Sequence, residues 1–274
     1  MTLTSSSSHK VVKGFAPKGR IVVVTGAAGG IGAALARRFV QDGAAAVIAA
    51  DQDADRVQRV AKEMGAHPLV CDLSTESGTR QLIETTESRF GPIDLFCANA
   101  GIAVKGTEQL ADDVWARMWQ INVMAHVHAA RLLVPRMLAR GSGHFLVTAS
   151  ASGLLSNFDA PYAVTKHAAV AFAEWLAIEY GNRGIGVSCI CPAGVDTAMF
   201  RAESERRQQL MSLQVLTVED VAAAAIKGLA DGQFLILPHA EIGEFFQMRA
   251  SDHQRWLKGM RGLHSKARPP ESLV

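Results

Sequence analysis

Thr25-Gly26-Ala27-Ala28-Gly29-Gly30-Ile31-Gly32 is the stretch whose reading decides the fold. It follows an apolar run at 20–25 and leads into a helical pattern over 31–41, so its glycines sit at a strand-to-helix turn. Without side chains there, a pyrophosphate can approach the backbone N–H groups and the positive end of the helix. A Gly-rich turn can equally be a tight turn that only packs, so the rest of the chain has to decide between the two.

Outward from this turn, short runs rich in Val, Ile and Ala recur at 45–50, 67–71, 93–98, 143–149, 185–191 and 233–237. Between them, 54–64, 75–90, 112–140, 160–183 and 218–231 carry helical periodicity. Ser74, Thr75 and Thr217 read as N-caps, and Asp220 stands three residues after Thr217 as in a capping pattern. Nearly every strand is apolar along its whole length, which requires helices on both faces. The pattern predicts an α/β fold, a doubly wound parallel sheet of about seven strands. No linker divides 19–262, read as one domain that ends in a helix over about 241–262, with flexible tails at 1–18 and 263–274.

The chain has 274 residues, is 49% hydrophobic and carries a formal charge of +2, enough for a large core. With no clustered basic stripe, composition argues against a nucleic-acid or membrane surface and favours a small ligand. Cys71, Cys97, Cys189 and Cys191 lie in apolar runs without the Cys-x-x-Cys spacing of a zinc or dithiol site, so no metal is expected. No apolar run approaches the ~18 residues of a membrane span. The Ser-rich opening lacks the apolar core of a secretory signal, so a reducing cytoplasm is expected.

Tyr162 and Lys166 stand four apart on a predicted helix, which puts phenol and ammonium on one face. A neighbouring cation favours the phenolate and would lower a pKa that is ordinarily near ~10. Ser150 lies just beyond an apolar strand, where open α/β sheets place ligands and a hydroxyl can stabilise charge developing on a substrate oxygen. Thr148, Ser152 and Ser156 compete for that role. Asp51 ends the second strand nineteen residues after Gly32, near the interval at which an acid accepts from the adenosine ribose. Asn122 sits in mid-helix among Ile121, Val123 and Met124, where a polar side chain needs a reason.

In their order and spacing these motifs resemble the short-chain dehydrogenase/reductase family over about 19–238. The glycines fall at Gly26, Gly30 and Gly32; Ala98-Asn99-Ala100-Gly101 stands where the family has Asn-Asn-Ala-Gly; Asn122, Ser150 and Tyr162-Ala163-Val164-Thr165-Lys166 follow; and Pro192-Ala193-Gly194-Val195-Asp196-Thr197 stands at the family's Pro-Gly turn. Two departures are Ala98 for the first Asn and the extra Ala193. The resemblance selects Ser150, three residues before Gly153, over its neighbours. It implies that Asn122, Ser150, Tyr162 and Lys166 are the catalytic tetrad, with Asn122 holding a water that links Lys166 to solvent. It further implies that Gly26, Gly29, Gly30, Ile31, Gly32, Asp51, Asp72, Leu73, Asn99, Ala100, Gly101, Tyr162, Lys166, Pro192, Gly194, Val195 and Thr197 bind the cofactor, with Asp72 on the adenine.

The function so implied is hydride transfer between NAD and a secondary alcohol or ketone, Tyr162 exchanging the proton. A carboxylate at Asp51 argues against the 2′-phosphate of NADP, and Arg56 is the nearest cation that could soften the preference. The rival is an idle NAD-binding sensor or scaffold; such proteins usually lose a proton-transfer residue. Ile102, Val104, Leu154, Leu155, Phe158, Met199 and Phe200 are expected to wall an apolar substrate pocket, under a lid over 199–216. Small residues along 160–173 and the family habit of pairing the helices from Asp112 and Ala160 imply a homodimer or homotetramer, with Phe245, Phe246 and Trp256 beyond the last strand.

Overall fold

The computed structural model describes residues 14–156, 158–211 and 214–267. Seven strands form one sheet: β1 (Ile21–Thr25), β2 (Ala46–Asp51), β3 (His67–Val70), β4 (Leu95–Ala98), β5 (Gly143–Thr148), β6 (Ile185–Ile190) and β7 (Leu235–Ile236). Their order is β3-β2-β1-β4-β5-β6-β7 and every neighbouring pair is parallel. The helices are α1 (Gly30–Gln41), α2 (Ala54–Met64), α3 (Glu76–Phe90), α4 (Asp112–Trp119), α5 (Ala125–Arg140), α6 (Ser152–Leu155), α7 (Ala160–Tyr180), α8 (Ala198–Arg201), α9 (Glu205–Met211), α10 (Val218–Ala230), α11 (Glu241–Ser251) and α12 (His253–Ala267).

The continuous apolar strands feed two cores, as a doubly covered sheet demands. Val22, Val24 and Val47 pack with α1, α2 and α10 on one face. Val23, Ile48, Phe96 and Phe145 pack with α3, α5 and α7 on the other. The edge strand β3 departs from this, alternating half-buried and exposed residues. Strand order reverses where β1 lies between β2 and β4, so the chain leaves β1 and β4 in different directions and opens a crevice at their carboxyl ends.

Several boundaries differ from the sequence pattern. The helix expected over 112–140 is interrupted at Gln120–Met124 by a π-helical turn. The single helix expected over 241–262 is two, broken at Asp252, and the second runs to Ala267, so 263–267 belong to the folded domain and not to a tail. Of the proposed N-terminal tail, 14–18 are also held: Phe15 N donates to Leu229 O (2.7 Å) and its ring lies 5.8 Å from that of His144. The strand expected over 233–237 is only two residues long. Residues 1–13 and 268–274 lie outside the described residues. Thr75 and Thr217 cap α3 and α10, the latter in a full capping box with Asp220. Ser74 does not cap; its N–H donates to Asp72 Oδ1 (2.9 Å). Among the described residues no helix is long and apolar enough to cross a membrane.

Candidate active site

Thr25, the last residue of β1, ties the two sides of the crevice together. Its hydroxyl donates to Cys97 O (3.0 Å) and accepts from Asn99 N (2.9 Å) and Ala100 N (3.0 Å), while Asn99 Nδ2 donates to Thr25 O (2.9 Å). The next residue, Gly26, has φ +67°, and a Cβ there would come within 2.9 Å of Ala100 Cα. A Cβ on Gly32 would stand 2.2 Å from Gly26 O, so this first turn of α1 can press against the turn only as glycine. No side chain caps α1, whose N-cap is Gly29; Gly29, Gly30 and Ile31 line the cleft, leaving the first-turn N–H groups to an anionic ligand.

Asp51, at the end of β2, also faces this cleft. Its Oδ2 accepts from Ala28 N and its Oδ1 from Asp53 N, both at 3.1 Å, which fixes the carboxylate beside the glycine turn. Arg56, at the start of α2, arches over the turn with its guanidinium 2.8 Å from where a Gly29 Cβ would be.

At the far end of the crevice stand the groups suited to proton exchange. Lys166 is buried and donates from Nζ to Thr148 O (2.9 Å), with Nζ 5.8 Å from the centroid of the Tyr162 ring. Burial brings the Lys166 ammonium down to about 8. Burial pushes the Tyr162 phenol up, only partly opposed by a hydrogen bond from the Ser150 hydroxyl. The lowering of Tyr162 expected from Lys166 is therefore not met by this chain alone, because desolvation dominates.

Asn122 occupies the π-helical turn and is fully buried and satisfied. Its Oδ1 accepts from Ile102 N (2.9 Å), and its Nδ2 donates to Ile102 O (2.9 Å) and Thr165 Oγ1 (3.0 Å). Asn122 Oδ1 and Lys166 Nζ both lie 3.2 Å from where a Gly101 Cβ would be, so that glycine keeps the space between them open. Among the competing hydroxyls, Ser152 opens α6 and gives its N–H to Ser150 Oγ (3.1 Å), Thr148 still belongs to β5, and Ser156 Oγ lies 3.4 Å from His167 Nε2. Thr148, Ser150 and Ser152 all line the cleft, and of the four hydroxyls Ser150 is the one that opposes the rise of the Tyr162 phenol.

A short chain dehydrogenase family model matches residues 20–208. The chain belongs to that family. It is 35% identical to 1-deoxy-11-beta-hydroxypentalenate dehydrogenase of Streptomyces exfoliatus, over 81% of this chain and 84% of that protein. It is 33% identical to a mitochondrial borneol dehydrogenase of Lavandula x intermedia, over 81% and 88%. Among solved structures, a short chain dehydrogenase/reductase from Burkholderia phymatum in complex with NAD superposes with a TM-score of 0.80 at 28% identity, covering 88% of this chain and 96% of that one.

Within this short-chain dehydrogenase, Ser150, Tyr162 and Lys166 meet in one cleft of about 800 Å³ with Gly26, Gly29, Gly30, Ile31, Asp51, Asn99, Ala100, Gly101, Pro192, Gly194, Val195 and Thr197. Asn122 stands behind its wall. Gly32 shapes the turn without lining the cleft. Asp72 and Leu73 do not reach it: Asp72 is exposed and held below the usual carboxylate range by Ser74, and Leu73 is packed in the core. Of the expected apolar wall, Leu155, Phe158, Met199 and Phe200 line the cleft, whereas Ile102, Val104 and Leu154 do not. Sequence reasoning missed Phe245, Trp256, Met260 and Leu263, which close it from α11 and α12. The last three recur at i, i+4 and i+7, a helical stripe that could have revealed an inward face. Phe245 and Trp256, read from sequence only as lying beyond the last strand, pair inside the chain with ring centroids 6.5 Å apart.

Proposed function

We propose that the protein is an NAD-dependent dehydrogenase of a bulky, largely apolar secondary alcohol, or the reductase of the matching ketone. The observation that carries this reading is the meeting of Ser150, Tyr162 and Lys166 beside the glycine turn in a cleft that Leu155, Phe158, Phe245, Trp256, Met260 and Leu263 wall with apolar side chains. NAD fits the residues present: the glycines leave room for a pyrophosphate on uncapped N–H groups, and Asp51 offers a ribose acceptor. Bound there, the nicotinamide supplies the acceptor or donor of hydride. Tyr162 takes the hydroxyl proton in oxidation and returns it in reduction. Ser150 holds the substrate oxygen, and Lys166, backed by Asn122 across Gly101, passes the proton onward.

The substrate class draws support from the cleft and from relatives whose printed names include borneol and a hydroxypentalenate. Asp159 and Glu203 at its rim are neutralised by Arg207 (2.9 and 3.4 Å), and Lys105 lies 3.3 Å from Glu203, so a neutral substrate suits the site. All four cysteines are buried and free, in keeping with a reducing compartment such as the cytoplasm. A homodimer or homotetramer follows from the outer stripe of α7, where Val164, Ala168, Ala171, Trp175 and Ile178 recur at helical spacing with Trp175 52% and Ile178 76% exposed.

Tyr162→Phe should lower kcat for borneol oxidation with NAD by at least about 100-fold, the lower end of general acid–base catalysis. NADH binding should persist. Turnover of the variant at near the unmodified rate would sink the mechanism.

A further inference from the structure

Just before the helix that carries Tyr162, the backbone enters the left-handed region twice without glycine: φ is +53° at Ser156 and +47° at Phe158. Such a conformation is uncommon and unfavourable for a bulky side chain, so surrounding contacts must over-determine it. Here those contacts come from the two C-terminal helices, which lie beyond the 20–208 covered by the family model. Phe158 N donates to His264 Nε2 (3.2 Å), and the two rings stack with centroids 5.3 Å apart at 25°. One element away, Arg249 Nη1 donates to Leu154 O and lies 3.2 Å from His167 Nε2. The Arg207 guanidinium also sits 5.3 Å from the Phe158 ring centroid, joining α9 to the same residue.

Phe158 lines the cleft, and so does Leu263, the neighbour of His264. The clamp therefore fixes two parts of the cleft wall at once. We infer that His264 is a positioning residue, with Arg249 as its second anchor: it holds Phe158 in its left-handed conformation and thereby sets how bulky a substrate the cleft accepts in register with Tyr162. This deepens the dehydrogenase reading above and, for its kinetic arm, rests on it. His264 accepts through Nε2 as the neutral ring with its proton on Nδ1, so a side chain with an acceptor at that reach can replace it and a purely apolar one cannot.

The test compares His264→Ala, His264→Phe and His264→Gln in the full chain, with Arg249→Ala as an independent way to loosen the clamp. In the protein without added ligands, hydrogen exchange of the peptide containing the Phe158 amide should quicken about tenfold in the Ala and Phe variants and return toward the original rate in Gln. With NAD, the ratio of KM for borneol to KM for 2-propanol should rise about tenfold in the Ala variant, with kcat for borneol changed far less; that fold-change corresponds to about 1.4 kcal/mol. His264→Gln should restore the ratio, and Arg249→Ala should raise it in the same sense. Unchanged exchange at Phe158, or equal rises in KM for both alcohols, would overturn the clamp. Absence of turnover with every alcohol would instead count against the dehydrogenase reading, leaving exchange to judge the clamp.

Discussion

At the residue scale the site turns on what burial does to two titratable groups. Tyr162 lies one helical turn from Lys166, yet burial pushes its phenol up while it brings the lysine down to about 8. Alcohol oxidation needs the phenolate and ketone reduction needs the phenol. Because the phenol is raised above its ordinary value, its small phenolate fraction is still climbing between pH 7 and pH 9, so oxidation with NAD should run faster at pH 9, while reduction with NADH, which uses the phenol, should change far less. Rates in both directions across that range check this, and the apparent pKa belongs to the Tyr162–Lys166 pair. A flat oxidation profile would contradict it. Asp51 makes a second residue-scale expectation: its carboxylate, held by Ala28 N and Asp53 N, should favour NAD over NADP about 100-fold in kcat/KM, or roughly 3 kcal/mol. Asp51→Ser should narrow that ratio by weakening NAD binding and leaving Arg56 over the turn free of a competing carboxylate. Equal efficiency with both cofactors in the unmodified protein would refute the assignment.

At the scale of elements, the union of β1, the glycine turn and α1 tolerates little. An alanine at a helical glycine normally gains about 1 kcal/mol of helix propensity. At Gly32, however, its Cβ would meet Gly26 O at 2.2 Å, and overpacking of that kind costs about 1–3 kcal/mol. The clash should win. Gly32→Ala is expected to melt at a lower temperature and to bind NADH more weakly, as thermal unfolding and fluorescence titration would report; a more stable variant with full affinity would be inconsistent with the packing described. The π-helical turn at Gln120–Met124 illustrates the other use of an irregular element, placing Asn122 where all its polar atoms find partners between Ile102 and Thr165.

For the whole molecule, the outer stripe of α7 sets the expectation. Ala163, Ala169 and Ala173 are spent on the chain's own core, while Val164 (48% exposed), Trp175 and Ile178 stand outward. An apolar stripe of that kind on a protein with a +2 net charge is expected to be covered by a second copy. Light scattering at micromolar concentration should give the mass of a dimer or tetramer. Replacing Trp175 and Ile178 with Glu should shift it toward the monomer; a monomeric mass for the unmodified protein would end the idea.

The sequence by itself determined the alternation of strands and helices, the glycine turn, and the positions of Asn122, Ser150, Tyr162, Lys166 and Asp51, because each depends on local spacing or on residue type in a fixed order. Hydrophobic period and turn chemistry are properties of neighbouring residues and can be read along the chain. Tertiary structure decided what depends on distant segments meeting. Only the folded chain leaves Asp72 and Leu73 away from the cleft and brings Trp256, Met260 and Leu263 across to face Phe158. It also decided that burial, and not the lysine four residues away, governs the phenol of Tyr162 in this chain, since desolvation is set by everything packed around a group and no spacing along the sequence encodes it.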